Sequence, residues 1–228
     1  MSDFSVRRQK IRYQDFILFP LFVLLQYFSP LFAEQYLPFI LKKVLKYHVT
    51  PEVQTLLFNT VMLIAQLVIV LLFIFLTRDF IINHFQYRWI ELRRYIKKII
   101  IVYILWSSFI WIYQKTVPLA ILDIQNYNFI LSLLTIGVCT PIVEEILFRH
   151  LLIGELGKKW GYLTMSIVSV FLFGIAHFLH FQSIWTFLPF ILGGITLTYV
   201  YLTSNRNLLV SITLHILINA VSHILNSI

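Results

Sequence analysis

Charged residues are scarce in this chain, and their scarcity excludes most classes of protein. Asp, Glu, Lys and Arg together make up 12% of the 228 residues, whereas hydrophobic residues make up 59%. An ordinary soluble domain carries about 25% charged residues. The composition therefore predicts a polytopic membrane protein, an all-α bundle with seven or eight transmembrane helices.

Cysteine is nearly absent, since Cys139 is the only one. A single cysteine excludes an intramolecular disulfide and any metal site built from several cysteines. A cysteine protease is also disfavoured, because no histidine neighbours Cys139 in the sequence and an apolar setting disfavours the reactive thiolate. The HExxH signature of helical zinc proteases is absent as well.

Acidic residues are fewer than basic ones, ten against 18, which gives a formal net charge of +8. In a soluble protein this excess would suggest a nucleic-acid partner. Here the basic residues flank apolar runs, as the positive-inside rule describes, so we predict no nucleic-acid partner. The basic residues before the first apolar run predict a cytoplasmic N-terminus, and we interpret that run as a retained span rather than a cleaved signal.

Seven apolar segments are long enough to be membrane spans. They are about Phe16–Phe32, Leu56–Leu76, Ile99–Tyr113, Phe129–Leu152, Tyr162–His180, Ile184–Leu202 and Leu208–Ile224. The amphipathic stretch 35–50 predicts an interfacial helix, and an eighth span there would invert the later helices. We expect residues 1–228 to form a single membrane-embedded domain, with a catalytic core at about 129–224 and accessory helices in 1–128.

Two adjacent glutamates and an arginine interrupt the fourth segment, in the string PIVEEILFRHLL. A charge within hydrocarbon costs at least about 2.5 kcal/mol, so this cluster predicts a functional site. Glu145 and Arg149 stand four residues apart with the acid first, which favours an ion pair along one helix. Glu144 points about 100° away around the helix and is the candidate for chemistry.

Further polar side chains lie within later apolar segments. His177 is in the fifth segment, and His215 and Asn219 share one stripe of the seventh. Any one of them could simply hydrogen-bond a neighbouring helix. Together with the glutamates they indicate a site that activates water, in which a carboxylate and an imidazole accept a proton while a second imidazole and an amide stabilise an oxyanion.

Two other chemistries use the same groups. Glu144, His177 and His215 could bind zinc as a His₂Glu site with an open position for water. The buried histidines and glutamates could also form a proton relay in a transporter or channel, although no inverted repeat is visible in the sequence.

Three motifs, in this order, resemble those of the CAAX-protease and bacteriocin-processing (CPBP) family, also called the Abi family. EEILFR fits EExxxR, FGIAH fits FxxxH and HILIN fits HxxxN. A weaker motif of that family, an aromatic residue followed seven positions later by glycine, matches Phe187 and Gly194. The resemblance covers about Thr135 to Asn219 and implies an intramembrane endopeptidase.

The resemblance also implies residue roles. Glu144 and His177 would activate the water, while His215 and Asn219 would form the oxyanion site. The motif residues that support them are Glu145 and Arg149. Family members have been described both as metalloproteases and as glutamate-dependent proteases, and we favour the second description, with no cofactor. Zinc remains the alternative.

The substrate is expected to be a hydrophobic peptide or a leader peptide, and the lipid bilayer is the other partner. The amino-acid usage is typical of an AT-rich bacterium, so we expect a bacterial plasma membrane. Bacteria generally lack prenylated CAAX proteins, which favours the hydrophobic precursor or leader peptide as the substrate. The alternative function is a non-catalytic self-immunity or binding protein that occupies a peptide toxin or its receptor. His150, His180 and His223 lie outside the motifs and are expected to pack or to support the site.

One geometric condition must be met by the fold. If the fourth segment ends near Leu152, Glu144 lies roughly 15 Å and His177 roughly 25 Å from the inner boundary, at 1.5 Å per residue. The two side chains must reach the same depth for this chemistry.

Overall fold

The computed structural model describes residues 10–117, 128–178 and 184–225, and these residues form helices and no strand. The prediction of an all-α fold is therefore confirmed. In chain order the helices are α1 (Tyr13–Lys43), α2 (Pro51–Thr116), α3 (Phe129–Trp160), α4 (Tyr162–Phe178), α5 (Ile184–Thr203) and α6 (Leu208–Leu225).

Seven apolar helical segments occur among the described residues, in agreement with the predicted bundle. Helix α2 alone contains two of them, Pro51–Arg78 and Trp89–Thr116. Its 66 residues would extend about 100 Å if straight, roughly three times the thickness of a bilayer core. Helices α1, α3 and α6 are also long and apolar enough to cross a membrane, while α4 and α5 supply shorter apolar segments.

The stretch 35–50 differs from its prediction as a separate interfacial helix. Helix α1 continues through a π-helical turn, Phe32–Tyr36, and ends at Lys43, after which 44–50 is not helical. The wide turn precedes Pro38, which lacks a backbone N–H, so the helix accommodates the proline without stopping. Residues 35–43 extend the first helix and do not form a separate eighth span.

The first segment of α2 runs in the same direction as α3. The Thr135 hydroxyl donates to the Asn59 carbonyl at 3.4 Å near the start of both helices. At their other ends, the Arg12 guanidinium donates to the Leu76 carbonyl at 2.6 Å, and the Arg12 backbone N–H donates to Glu155 at 2.8 Å. The start of α1 therefore lies where α3 and this segment end.

The second segment of α2 runs opposite to α5. Lys98 donates to the Thr203 hydroxyl at the end of α5, and the Tyr113 hydroxyl donates to the Trp185 carbonyl at its start. The two segments of α2 thus cross the bundle in opposite directions. One end of the bundle, which we call the basic end, collects Arg12, Lys98, Lys158, Lys159 and Arg206.

Helix α3 is the central helix of the bundle. Half of its apolar window is buried, against 6% for Trp89–Thr116. Its fully buried side chains include Val143, Leu147 and Leu151, which pack with residues of every neighbouring helix. The residues that carry the EExxxR motif are consequently surrounded by protein rather than by lipid.

The depth condition is satisfied because α3 is longer than predicted. It extends to Trp160, and the chain turns at Gly161, whose φ of 87° favours glycine. Glu144 lies 16 residues before Trp160, and His177 lies 16 residues after Gly161. Both side chains therefore reach the same level of the bundle, and the predicted end near Leu152 was wrong.

Pro141 changes the helical register just before the glutamates. The sequence predicts that its missing N–H frees the Gly137 carbonyl and kinks the helix. In the structure, Leu133–Cys139 is π-helical, and a second π-helical stretch, Ile146–Leu156, follows the glutamates. In a π-helix the carbonyl that lacks its donor belongs to the residue five positions before the proline, which is Ile136.

A buried polar cluster attaches α1 to α3 at the basic end. The Asp15 carboxylate has no exposed surface, and it accepts from the Arg12 Nε at 2.9 Å. The His150 Nε2 lies 3.0 Å from the same carboxylate oxygen. This cluster fixes the first helix against the residue that follows Arg149.

Removing the charge of Asp15 should loosen this attachment. The Asp15→Asn variant leaves Arg12 and His150 without their anion, so we expect the free energy of unfolding to fall by about 1.5–3 kcal/mol, the usual value of hydrogen bonds to charged groups. Thermal unfolding in detergent measures the change. The control is Glu34→Gln, an exposed acid on the same helix. Equal melting temperatures for the two variants would contradict the prediction.

Candidate active site

The Glu144 carboxylate lies between two imidazoles that come from different helices. Its Oε1 is 3.8 Å from His177 Nε2 on α4, and its Oε2 is 3.5 Å from His215 Nε2 on α6. These distances exceed those of direct hydrogen bonds, but one water molecule can bridge such groups. The Glu144 side chain is 13% exposed and that of His177 22% exposed, so the group is not completely enclosed by protein.

The other ring nitrogen of each histidine already has a partner. His177 Nδ1 lies 2.8 Å from the Phe173 carbonyl, which can only accept, so this nitrogen carries a proton. His215 Nδ1 lies 3.0 Å from Glu145 Oε1. Both rings are thereby oriented with Nε2 toward Glu144.

The predicted ion pair of Glu145 with Arg149 is present and fully buried. Arg149 Nε is 3.4 Å from Glu145 Oε2, and neither side chain has exposed surface. Arg149 Nη2 also donates to the Gly194 carbonyl on α5 at 3.2 Å, and the guanidinium lies 5.0 Å from the centre of the Phe173 ring. Arg149 thus connects the central helix with α4 and α5.

Glu145 has a second contact that the sequence did not predict. Besides Arg149 on its own helix, it binds His215 on α6. It therefore orients an imidazole of the candidate site. The i, i+4 spacing predicted only the contact within α3, because nothing in the sequence shows which helix faces Glu145.

Asn219 lies one helical turn beyond His215. Its Nδ2 donates to the Ile136 carbonyl at 3.4 Å, the carbonyl that Pro141 leaves without a donor in the π-helical register. One of its two amide hydrogens is used in this contact. The second is a candidate donor to a bound substrate.

The weaker aromatic-to-glycine motif has a structural role. A Cβ atom on Gly194 would lie 3.2 Å from Phe173, tighter than an ordinary contact, so glycine allows α5 to approach α4. This approach brings the Gly194 carbonyl to Arg149 and the ring of Phe190 to His177. Sequence reasoning did not single out Phe190, which lies within the motif but is not one of its fixed positions.

The histidines outside the motifs have separate positions. His150 binds Asp15 at the basic end, and His223 Nε2 lies 2.9 Å from the Ser132 hydroxyl, near the opposite end of α3 and α6. His180 lies outside the described residues.

Zinc would have to be held by the same side chains. The Nδ1 contacts of both histidines are of the kind that metal-ligating imidazoles make. However, within the described ranges no three His, Cys, Asp or Glu side chains are arranged to hold a metal ion, Glu144, His177 and His215 among them.

Residues 126–221 match the family model described as "Type II CAAX prenyl endopeptidase Rce1-like". This range contains the three motifs and all the candidate site residues, and it confirms the resemblance inferred from the motifs. The family that these residues resemble is described as an endopeptidase family. No curated protein and no solved structure matches the chain.

The buried pair allows a prediction for stability. Arg149→Met would leave the Glu145 charge buried without its cation, which should cost about 3–5 kcal/mol, whereas removing both charges in Glu145→Gln/Arg149→Met should recover most of this loss. Thermal unfolding in nanodiscs compares the variants, and Glu144→Gln, whose side chain is partly exposed, is the control. The pair is not coupled if the double variant is no more stable than Arg149→Met.

Proposed function

We propose that this chain, whose residues 126–221 resemble type II CAAX prenyl endopeptidases, is an intramembrane endopeptidase that hydrolyses a peptide bond in a membrane-associated peptide. The observation that carries the proposal is the position of Glu144 between the Nε2 atoms of His177 and His215. This arrangement lies about halfway along α3, within a bundle of apolar helices. Placing ionisable side chains there costs free energy, which favours a functional role for them.

Glu144 and His177 are the pair that activates water. Because the Nδ1 hydrogen of His177 is donated to the Phe173 carbonyl, its neutral ring has a lone pair on Nε2. A water molecule held between this lone pair and the Glu144 carboxylate transfers a proton to Glu144 as its oxygen attacks the carbonyl carbon of the substrate. The carbonyl π electrons move to the oxygen, which becomes an oxyanion.

His215 and Asn219 stabilise that oxyanion. The Glu145 carboxylate orients the His215 ring through Nδ1, so Nε2 faces the oxyanion and stabilises it when this nitrogen carries a hydrogen. The free amide hydrogen of Asn219 supplies a second donor. When the C–N bond breaks, the proton held by Glu144 moves to the leaving nitrogen, so that the products are a carboxylic acid and an amine and the enzyme is regenerated.

The substrate class follows from the surroundings of the site. Apolar helices enclose Glu144, so a substrate must itself be hydrophobic or carry a lipid anchor. A hydrophobic precursor or leader peptide in a bacterial plasma membrane is the proposed substrate, and a prenylated peptide, the class named in the family description, is the second to test. We propose that the basic end and the N-terminus face the cytoplasm, an orientation that the positive-inside rule supports.

Removing the base should abolish hydrolysis. The Glu144→Gln variant keeps the size of the side chain but cannot accept the proton, and we expect at least about a 100-fold lower rate. The membrane peptidomes of cells expressing wild type and variant reveal the uncleaved precursor, and a peptide carrying its cleavage sequence then measures the rate in proteoliposomes. Glu34→Gln is the control for protein level and folding.

Unchanged processing by Glu144→Gln at normal protein level would overturn the proposal. If cells are instead protected from a peptide toxin, and protection survives simultaneous loss of Glu144, His177 and His215, the protein is a non-catalytic immunity factor. Ion flux through proteoliposomes that depends on these residues would identify a channel or transporter.

Metal dependence has its own measurement. We expect hydrolysis by the purified protein to persist in strong chelators such as 1,10-phenanthroline, and elemental analysis to find no stoichiometric zinc. Loss of activity on chelation, restored by zinc, would assign Glu144, His177 and His215 to a His₂Glu site instead.

A further inference from the structure

Pro189 leaves a backbone carbonyl without its helical donor at the start of α5. A proline within a helix lacks the N–H that would bond the carbonyl four residues earlier, which here belongs to Trp185. The Tyr113 hydroxyl on α2 donates to this carbonyl at 2.5 Å. A side chain from outside the matched range 126–221 thus replaces the missing backbone donor.

The residue after Pro189 contacts the catalytic histidine. The Phe190 ring lies 4.6 Å from the His177 imidazole, centre to centre, with an angle of 22° between the planes. Phe173, one turn earlier on α4, lies 4.6 Å from the same imidazole at 41°. His177 is therefore held by one hydrogen bond and two aromatic rings, and Phe190 is the ring supplied by another helix.

Helix α2 holds this part of α5 on both sides of Phe190. Beyond the Tyr113 contact, the Trp106 ring faces Gly193, where an added Cβ would lie 3.5 Å from Trp106. The stacked rings of Phe109 and Tyr113 continue the same face of α2. These contacts with α2 fix the axial position and the rotation of α5, and therefore the place of the Phe190 ring.

We propose that Tyr113 is a positioning residue for His177. Its hydroxyl fixes the first turn of α5 at the carbonyl that Pro189 frees, which holds Phe190 against the imidazole and keeps Nε2 directed toward Glu144. The inference rests on the proposed function for its effect on hydrolysis, but the geometric part is measurable without a substrate.

The test uses the whole protein in nanodiscs, with histidine isotopically labelled. The ring currents of Phe173 and Phe190 displace the His177 ring resonances, which are assigned by their loss in His177→Gln. In Tyr113→Phe, which removes only the hydroxyl, these resonances should move toward those of a histidine that has lost the Phe190 ring and keeps only Phe173 beside it. Tyr103→Phe, a partly buried tyrosine on the same segment, is the matched control and should leave them unchanged.

The Pro189→Ala background distinguishes loss of the Tyr113 contact from general destabilisation. Alanine restores the N–H that bonds the Trp185 carbonyl, so the Tyr113 hydroxyl becomes dispensable. Tyr113→Phe should therefore shift the His177 resonances in the wild-type background and have no further effect in the Pro189→Ala background.

For the peptide identified with Glu144→Gln, kcat should fall about fivefold in Tyr113→Phe, the value of one hydrogen bond, with KM unchanged.

The possible failures are distinguishable. If Tyr113→Phe leaves the His177 resonances in place, or acts equally in both backgrounds, the positioning role is wrong whatever the activity. If the resonances move as expected but Glu144→Gln processes every precursor normally, the positioning role is retained and the proposed protease function is wrong. A rise in KM with kcat unchanged would also contradict the assignment, because it would indicate a substrate contact.

Discussion

The buried charge pair of Glu145 and Arg149 is the constraint on which the rest of the bundle depends. Two charges without exposed surface require compensation from their neighbours, and three helices supply some: His215 from α6, the Gly194 carbonyl from α5 and the Phe173 ring from α4. The pair thereby specifies which faces of four helices meet.

Stability alone does not account for this pair. Arg149 Nε and Nη1 and Glu145 Oε2 have no hydrogen-bond partner, and a buried pair with incomplete hydrogen bonding is often no better than an apolar replacement. Its benefit is geometric. The carboxylate that pairs with Arg149 also lies within hydrogen-bond distance of His215 Nδ1, so the same buried charge orients an imidazole beside Glu144.

Two prolines take part in a second kind of contact between helices. Each lacks the N–H that would bond a carbonyl of its own helix, and that carbonyl accepts from a side chain of another helix. Pro141 releases the Ile136 carbonyl in a π-helical turn, and Asn219 donates to it; Pro189 releases the Trp185 carbonyl, and Tyr113 donates to it. Lipid offers no hydrogen bonds, so a released carbonyl in a membrane bundle must find a protein donor. Each contact ties a helix of the candidate site to its neighbour, and the second one does so from the N-terminal half.

The sequence by itself determined the helical membrane fold, the segments and the residues that carry the three motifs, because hydrophobicity, spacing along one helix and residue type are local properties. It also determined that Glu145 and Arg149 pair, since i, i+4 neighbours share a helical face. Only the tertiary structure decided that Glu144 and His177 lie at one depth, because this depends on how far α3 extends before Gly161. It also decided the partners of His215, Asn219 and Tyr113, since contacts between helices depend on rotation, register and proline-induced turns that no single segment encodes.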